Sequence, residues 1–523
     1  MAGREEEAAL VALLKQPATY GLPPETVIEH IETHVSHVFL TPDHAYKLKK
    51  RVDLGFLDFR ALEARHRAVE DELRLNRRTA PDIYLGAVPV TRHGADLAMG
   101  RGSGTVIDWL VWMRRFPAEG LFSRLAGSGQ LTHRHIEPLA ASIAAFHLKA
   151  EICSQGGGAA GFTDIILGND RGLTRASAVQ FGPVQRRQLR EMSLSRMAAL
   201  SACLEERRRQ GYQRHCHGDL HLGNITLIDG VPVIFDCIEF STALSVMDVL
   251  YDLAFLLADL AFRARRHPYL DGFANLALNV YLDHLPEADF LPMLDGLVLL
   301  DLFIATRAAV RAKVTAPMAR SEPEIRHSRD YLAFACSVLQ THKPELVAIG
   351  GLSGTGKSTL AKRLAPKMTG CIGGVHLRSD IIRKRLLGVQ PLDRLPESAY
   401  APDVTARVYD EMFAAVDRAL KAGMSVVVDA VFARETERQA LEHIAAERGT
   451  SFRGVWLEAP QDLLEARIVA RNMQGNDPSD ADIGILHRQL TYDLGVMTWS
   501  RLDASQPGET LLQRMLALGD AIK

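Results

Sequence analysis

The chain carries almost no net charge. Its 61 lysines and arginines face 63 aspartates and glutamates, leaving a formal −2. That balance argues against a broad electrostatic grip on nucleic acid or an anionic membrane, while allowing a local basic groove. The basic runs Lys47–Arg51 and Arg207–Arg209 read as solvated strand and helix faces. Long apolar stretches are also missing. The richest, Val246–Phe262, contains Asp248, Asp252 and Asp259, so no segment reads as a membrane span. The start, Met1-Ala2-Gly3-Arg4-Glu5-Glu6-Glu7, is acidic and lacks the apolar centre of a signal peptide. The six cysteines are scattered without paired spacing, which fits reduced thiols in a cytoplasm. His215, Cys216, His217 and Cys237 make a poor zinc set, because alternating strand neighbours point to opposite faces.

What is present is ordinary globular material: 523 residues, 47% hydrophobic and 24% charged. That length exceeds one core and predicts two to four domains. Val35–Leu40 and Ala45–Leu48 read as strands joined by the turn Thr41-Pro42-Asp43-His44. A charged helix is predicted over Phe59–Arg78, then strands over Tyr84–Val90 and Val106–Met113. Beyond Phe116-Pro117 the pattern is mostly helical, with a flexible loop expected at Ser154–Ala159. The exception is a hairpin, Ile225–Ile228 and Val231–Phe235, joined by Asp229-Gly230, with Pro232 confining its second strand to an edge or non-bonded position. After Thr341-His342-Lys343-Pro344 the apolar strands Leu346–Ile349, Ser425–Val428 and Gly454–Leu457 alternate with helices. This predicts a parallel sheet covered on both faces.

Two segments carry phosphate chemistry. Gly351-Leu352-Ser353-Gly354-Thr355-Gly356-Lys357-Ser358, followed by Thr359, is a complete P-loop between a strand and a helix. Its glycines let backbone N–H groups face phosphates, Lys357 reaches the β and γ phosphates, and Ser358 offers an oxygen to Mg²⁺. The other segment, His217-Gly218-Asp219-Leu220-His221-Leu222-Gly223-Asn224, has the spacing of a kinase catalytic loop. There Asp219 is expected to orient an acceptor hydroxyl, while Asn224 and Asp236 hold Mg²⁺ against the phosphates of ATP.

These residues, with Asp248-Val249-Leu250-Tyr251-Asp252-Leu253-Ala254, resemble the aminoglycoside phosphotransferase family of the protein-kinase-like fold. The resemblance implies a two-lobed kinase domain over 1–340, with a small lobe about 20–115 and a helical lobe about 116–340. It makes Asp252 a structural acceptor and Lys47 the phosphate-gripping lysine, with Lys49 as the alternative. Glu72 becomes the lysine's partner, with Glu70 close behind, and Met113 opens the adenine hinge Met113-Arg114-Arg115-Phe116. The sequence departs from protein kinases in lacking a Gly-x-Gly-x-x-Gly loop before Lys47, and it has no Asp-Phe-Gly or Ala-Pro-Glu motif, which speaks against a protein substrate.

Residues 345–523 resemble small P-loop kinases such as zeta toxins, chloramphenicol phosphotransferase, gluconate kinase and phage polynucleotide kinase. That likeness implies Asp380 as the hydroxyl-activating carboxylate and Arg383 as a substrate or phosphate contact. Val426-Val427-Val428-Asp429 ends a strand as a Walker B element does, with Asp429 towards the metal. Ala430 stands where many hydrolytic ATPases have glutamate. Arg467 and Arg471 share a helical face beside the loop Asn472–Asp482 and look like lid arginines. The expected fold class is multidomain α+β and α/β, and the expected function is bifunctional ATP- and Mg²⁺-dependent transfer to small hydroxylated molecules. Competing readings make one domain a nucleotide-binding regulator of the other, or the P-loop domain a polynucleotide 5′-kinase. The sequence leaves the acceptor and the oligomeric state open.

Overall fold

The computed structural model describes residues 2–53, 57–100, 104–176, 179, 181–474 and 477–520. By their contacts the residues form two compact units, one of Met1–Leu131, Phe146–Gly161 and Arg208–Asp252, the other of Thr132–Ala145, Phe162–Arg207 and Leu253–Lys523. Among the described residues, no helix is long and apolar enough to cross a membrane.

The first unit is built on an antiparallel sheet of β1 (Glu29–Glu32), β2 (Ser36–Leu40), β3 (His44–Lys49), β4 (Tyr84–His93), β5 (Asp96–Met99) and β6 (Thr105–Arg114). Their order is β1-β2-β3-β6-β4-β5. The turn between β2 and β3 closes as its residues demand: the Thr41 hydroxyl accepts from the His44 amide at 3.0 Å. Strand alternation puts Ala45, Lys47 and Lys49 on one face. The helix Leu62–Asn76 crosses that face, and Val69 and Leu73 pack with Ala45, Tyr84, Val111 and Met113. Its buried stripe of Arg65, Val69, Glu72 and Asn76 has helical spacing but is mostly polar. Each polar member must therefore find a partner, since burial without one is costly.

Below lies the hairpin of β8 (Ile225–Ile228) and β9 (Val231–Ile234), while β7 (Gln213–His215) pairs with β10 (Val246–Asp248). Asp229 and Gly230 take φ of 51° and 80°, the left-handed pair that a tight hairpin turn requires. Pro232 sits in a two-stranded ladder with a free outer edge, where its missing donor costs nothing. The glycine segment expected to be flexible is tied down: Gln213 Nε2 donates to the carbonyls of Cys153 (2.8 Å) and Gly156 (3.1 Å), and its Oε1 accepts from the Gly158 amide, where the next helix begins.

The second unit holds a parallel sheet of β11 (Glu345–Gly351), β12 (Val375–Arg378), β13 (Val426–Asp429), β14 (Ser451–Glu458) and β15 (Ser500–Asp503), in the order β12-β13-β11-β14-β15. Val347, Ile349, Val427, Val455 and Leu457 form its core with Leu360 and Leu364 of the helix Lys357–Leu364. The protein is multidomain, α+β and α/β. The unit that holds this sheet also includes Thr132–Ala145, Phe162–Arg207 and the helices from Leu253 onward.

The basic runs are not plain solvated faces. Lys49 has no exposed surface and Arg207 is buried. Lys49 sits among carboxylates, and Arg207 donates to the Pro292 carbonyl and contacts the Met293 sulfur.

Candidate active sites

In the first unit a chain of alternating charges runs under the sheet. Lys47 Nζ donates to Glu72 Oε1 at 2.8 Å and to Asp236 Oδ1 at 2.7 Å. Lys49 Nζ takes the other Glu72 oxygen at 2.5 Å and also pairs with Glu239. Both lysines raised from the sequence thus hold the same glutamate, whereas Glu70 lies on the outside of the helix and pairs with His66. Burial pushes the Glu72 carboxyl upward, but Lys47 and Lys49 override it and hold it down at about 2. Burial also disfavours charge on Lys47, and Asp236 and Glu72 more than reverse that, keeping it protonated. Glu239 is raised, chiefly by burial.

Asp236 is the member of this chain that opens outward, with 44% of its side chain exposed against 0% for Glu72. It adopts φ 60°, unusual for a non-glycine residue, and is clamped there by the Tyr84 hydroxyl, which accepts its amide at 3.0 Å. Asn76 Oδ1 fixes the next amide, Cys237, at 2.9 Å.

The catalytic-loop backbone hangs from Asp252, whose two oxygens accept the amides of His217 and Gly218 at 2.9 Å each. Among the described residues His147, Cys216 and Asp252 are the one acidic, His and Cys trio close enough for a metal. Its carboxylate oxygens are already occupied by those amides. The His217 ring accepts from the Asp219 amide through Nδ1 and so donates from Nε2 to the Phe235 carbonyl at 3.0 Å. Burial lowers its pKa, in keeping with this neutral form. Asn224 Nδ2 donates to Asp219 at its carbonyl (3.0 Å) and Oδ2 (2.9 Å), which leaves the Asn224 Oδ1 as a hard oxygen donor. His221 Nε2 lies 3.4 Å from Asp219 Oδ2. Met113, next to the end of β6, lies opposite Ala45 and packs with Tyr84 and Val111, and Phe116 meets the Phe235 ring edge-on at 4.9 Å.

The P-loop lines a cleft of about 950 Å³ together with Thr359, Asp380, Arg383, Asp429, Arg467 and Arg471. Gly351, Gly354 and Gly356 have φ of 144°, 84° and 87°. A Cβ at Gly351 or Gly354 would stand 2.7 Å from the Leu457 or Leu464 carbonyl oxygen, so side chains are excluded where the backbone must curl. Gln489 Oε1 accepts the Ser353 amide at 2.8 Å, and the Thr355 hydroxyl donates to the Leu352 carbonyl. Lys357 Nζ donates to that same carbonyl at 2.9 Å, and burial pushes its pKa down to about 8 against the pull of Asp429 and Asp380. The Ser358 hydroxyl donates to Asp429 Oδ1 at 2.7 Å. A hydroxyl and a carboxylate side by side are donors of the kind Mg²⁺ takes, so the residues fit that ion.

Asp380 lies in the first turn of the helix Ser379–Leu386, whose N-cap is Arg378, so Asp380 is not itself the cap. Burial raises its pKa, and Asp429 and Asp477 add to this while Arg378 and Lys357 oppose it. Arg383 donates to the Ala399 carbonyl at 2.7 Å and lies over the Tyr400 ring at 4.6 Å. Arg467 and Arg471 donate to the carbonyls of Ala504 (2.9 Å) and Ala481 (2.6 Å). The expected loop Asn472–Asp482 starts later than its first residues suggest, because the helix Gln461–Gln474 continues through Asn472. Gly475 and Asn476 of that loop lie outside the described residues.

Sequence reasoning missed Tyr84, Asn76, Glu239, His376 and Gln489. His376 had a signal, since a polar side chain inside the buried strand Val375–Arg378 needs a partner; it is Asp429 Oδ2, 2.5 Å from His376 Nε2. The others carry no local mark.

Residues 54–291 match the phosphotransferase enzyme family, and residues 346–492 match an AAA domain. An uncharacterized protein of Mycobacterium tuberculosis is 30% identical over 504 residues, covering 93% of this chain and 94% of its own. The chain belongs to the phosphotransferase enzyme family. It is a kinase whose phosphotransferase region is followed by a P-loop kinase domain. An uncharacterized Mycobacterium bovis protein has the same identity and coverage. Among solved structures, a sugar kinase from Janibacter sp. is 22% identical, covering 34% of this chain and 95% of its own with a TM-score of 0.25. A gluconokinase from Sinorhizobium meliloti is also 22% identical, covering 34% and 92% with a TM-score of 0.24.

Proposed function

We propose that the chain is a bifunctional phosphotransferase that moves the γ-phosphoryl group of ATP to hydroxyls of small molecules, sugar, nucleoside or aminoglycoside-like, at two separate sites. The carrying observation is that each site has its own lysine, its own metal-type oxygens and its own acceptor-side carboxylate, Asp219 at one and Asp380 at the other. The domains read as 1–340 and 345–523. Six cysteines scattered without paired spacing support a cytoplasmic setting, where thiols stay reduced.

At the first site Asp219 orients the acceptor hydroxyl and takes its proton as the new oxygen–phosphorus bond forms and the bond from the γ phosphorus to the bridging oxygen breaks, releasing ADP. Asn224 and His221 hold that carboxylate in place. Lys47 neutralises the phosphates, and Glu72 fixes Lys47. Met113, paired with Ala45 across the strands, opens the hinge that carries adenine. At the second site Asp380 takes the proton, Lys357 and the P-loop amides hold the phosphates, and Arg383, Arg467 and Arg471 face the charge that develops. Mg²⁺, held by Asn224 and Asp236 at one site and by Ser358 and Asp429 at the other, would neutralise phosphate charge.

The test is a panel of sugars, nucleosides and aminoglycosides assayed for ATP consumption with full-length Lys357→Ala and Asp219→Asn proteins. Each variant is expected to keep one acceptor and lose the other. Loss of all activity in either single variant would exclude two independent sites.

A further inference from the structure

β12 is an edge strand, so one side of its backbone has no sheet neighbour. The helix Phe273–Asp283 fills that role with two buried asparagines. Asn279 Oδ1 accepts the His376 amide at 2.7 Å. Asn275 Nδ2 donates to the carbonyls of Ile372 and Gly374, 2.8 Å each, and Asn279 Nδ2 donates to Asn275 Oδ1 at 3.1 Å. Buried amides with this many partners define a single arrangement, because any slip leaves several polar groups unpaired.

His376 carries that arrangement into the P-loop site. Its ring is buried, and Nε2 stands 2.5 Å from Asp429 Oδ2 while Ser358 holds Oδ1. An ionised carboxylate only accepts, so His376 Nε2 bears the proton and donates. The two contacts fix both oxygens of Asp429. The acceptor side is tied to the end of that helix and the segment after it: Arg385, on the helix that bears Asp380 and Arg383, donates to the carbonyls of Leu282 (2.9 Å) and Leu285 (3.0 Å) and lies over the Phe290 ring at 3.5 Å.

We propose that His376 is a positioning residue for the P-loop reaction, orienting Asp429 towards the metal, and that Asn279 on the helix Phe273–Asp283 holds His376 in register. This rests on reading Asp429 as the Mg²⁺ carboxylate. The helix that braces His376 therefore comes from the part of the chain that matches the phosphotransferase family, residues 54–291.

The test uses the full chain carrying Asp236→Asn, so that metal at the first site does not mask the second. Mn²⁺ and ADP binding are followed by electron paramagnetic resonance, with metal-free ADP binding as the reference. Losing a group that orients a metal ligand commonly costs about 10–100-fold in metal affinity, and His376→Phe is expected to lower Mn²⁺·ADP affinity by that range while leaving metal-free ADP binding unchanged. His376→Gln, which keeps an N–H donor, is expected to recover most of the affinity, and Asn279→Ala to lower it by less than His376→Phe. If Asp429→Asn lowers Mn²⁺·ADP binding and His376→Phe does not, the positioning role is wrong and the metal reading stands. If Asp429→Asn changes nothing, both fall. An equal loss of metal-free ADP binding in His376→Phe would make His376 a folding residue and overturn the proposal.

Discussion

Lys49 and Glu72 form a closed ion pair, 2.5 Å between Nζ and Oε2 with neither side chain exposed, and Lys47 holds the remaining Glu72 oxygen. The glutamate is thus shared by two lysines on one strand face. Lys49 supports it from the closed end, and Lys47 links it to the open carboxylate of Asp236.

Glu72→Gln should destabilise the first unit by about 3–5 kcal/mol, the usual cost of breaking a buried pair from one side. Its folded pKa, about 2, lies below the ordinary glutamate value. The stabilisation is therefore present above about pH 4.5 and is lost as pH falls towards 2. Denaturant midpoints of parent and variant should differ at pH 7 and converge in acid.

In a Lys357→Ala background, Asp219→Asn should lower transfer by about 10²–10⁴ while ATP still binds, because Asp219 serves the acceptor. Asp236→Asn should instead weaken Mg²⁺-ATP binding. Calorimetry with a non-hydrolysable ATP analogue, beside initial rates, separates the two effects. A parent-like rate in Asp219→Asn would exclude its assigned role.

Nucleotide binding at the P-loop should weaken with rising pH. Lys357 has a folded pKa of about 8, below its ordinary value, so it discharges as pH passes 8. If the charged amine alone binds phosphate, affinity should drop about tenfold between pH 7 and 9, with proton uptake on binding. Titrations of the Asp236→Asn protein in buffers of different ionisation enthalpy would read both. The folded state itself should gain stability over the same rise, since the unfolded chain keeps that proton longer.

A fragment beginning at Glu345 should fold around its own parallel sheet yet melt below the same sheet in the full chain. Without Asn275, Asn279 and the carbonyls held by Arg385, the free edge of β12 and a buried guanidinium are left without their partners. Equal melting temperatures would show that those contacts contribute nothing.

The sequence by itself determined what depends on neighbours along the chain. Glycine at 351, 354 and 356 meets the positive φ of the phosphate loop, Asp229-Gly230 meets that of the hairpin, and strand alternation places Lys47 and Lys49 on one face. Each follows from local sterics or periodicity, so it is legible without the fold. Tertiary structure alone decided that both lysines hold Glu72, that Lys47 reaches Asp236 at a separation of 189 residues, and that His376 joins Asn279 to Asp429. Partners so distant in sequence are chosen by which buried polar group faces which. That choice is made when the helices dock on the sheets, through the cost of leaving any of those groups unpaired.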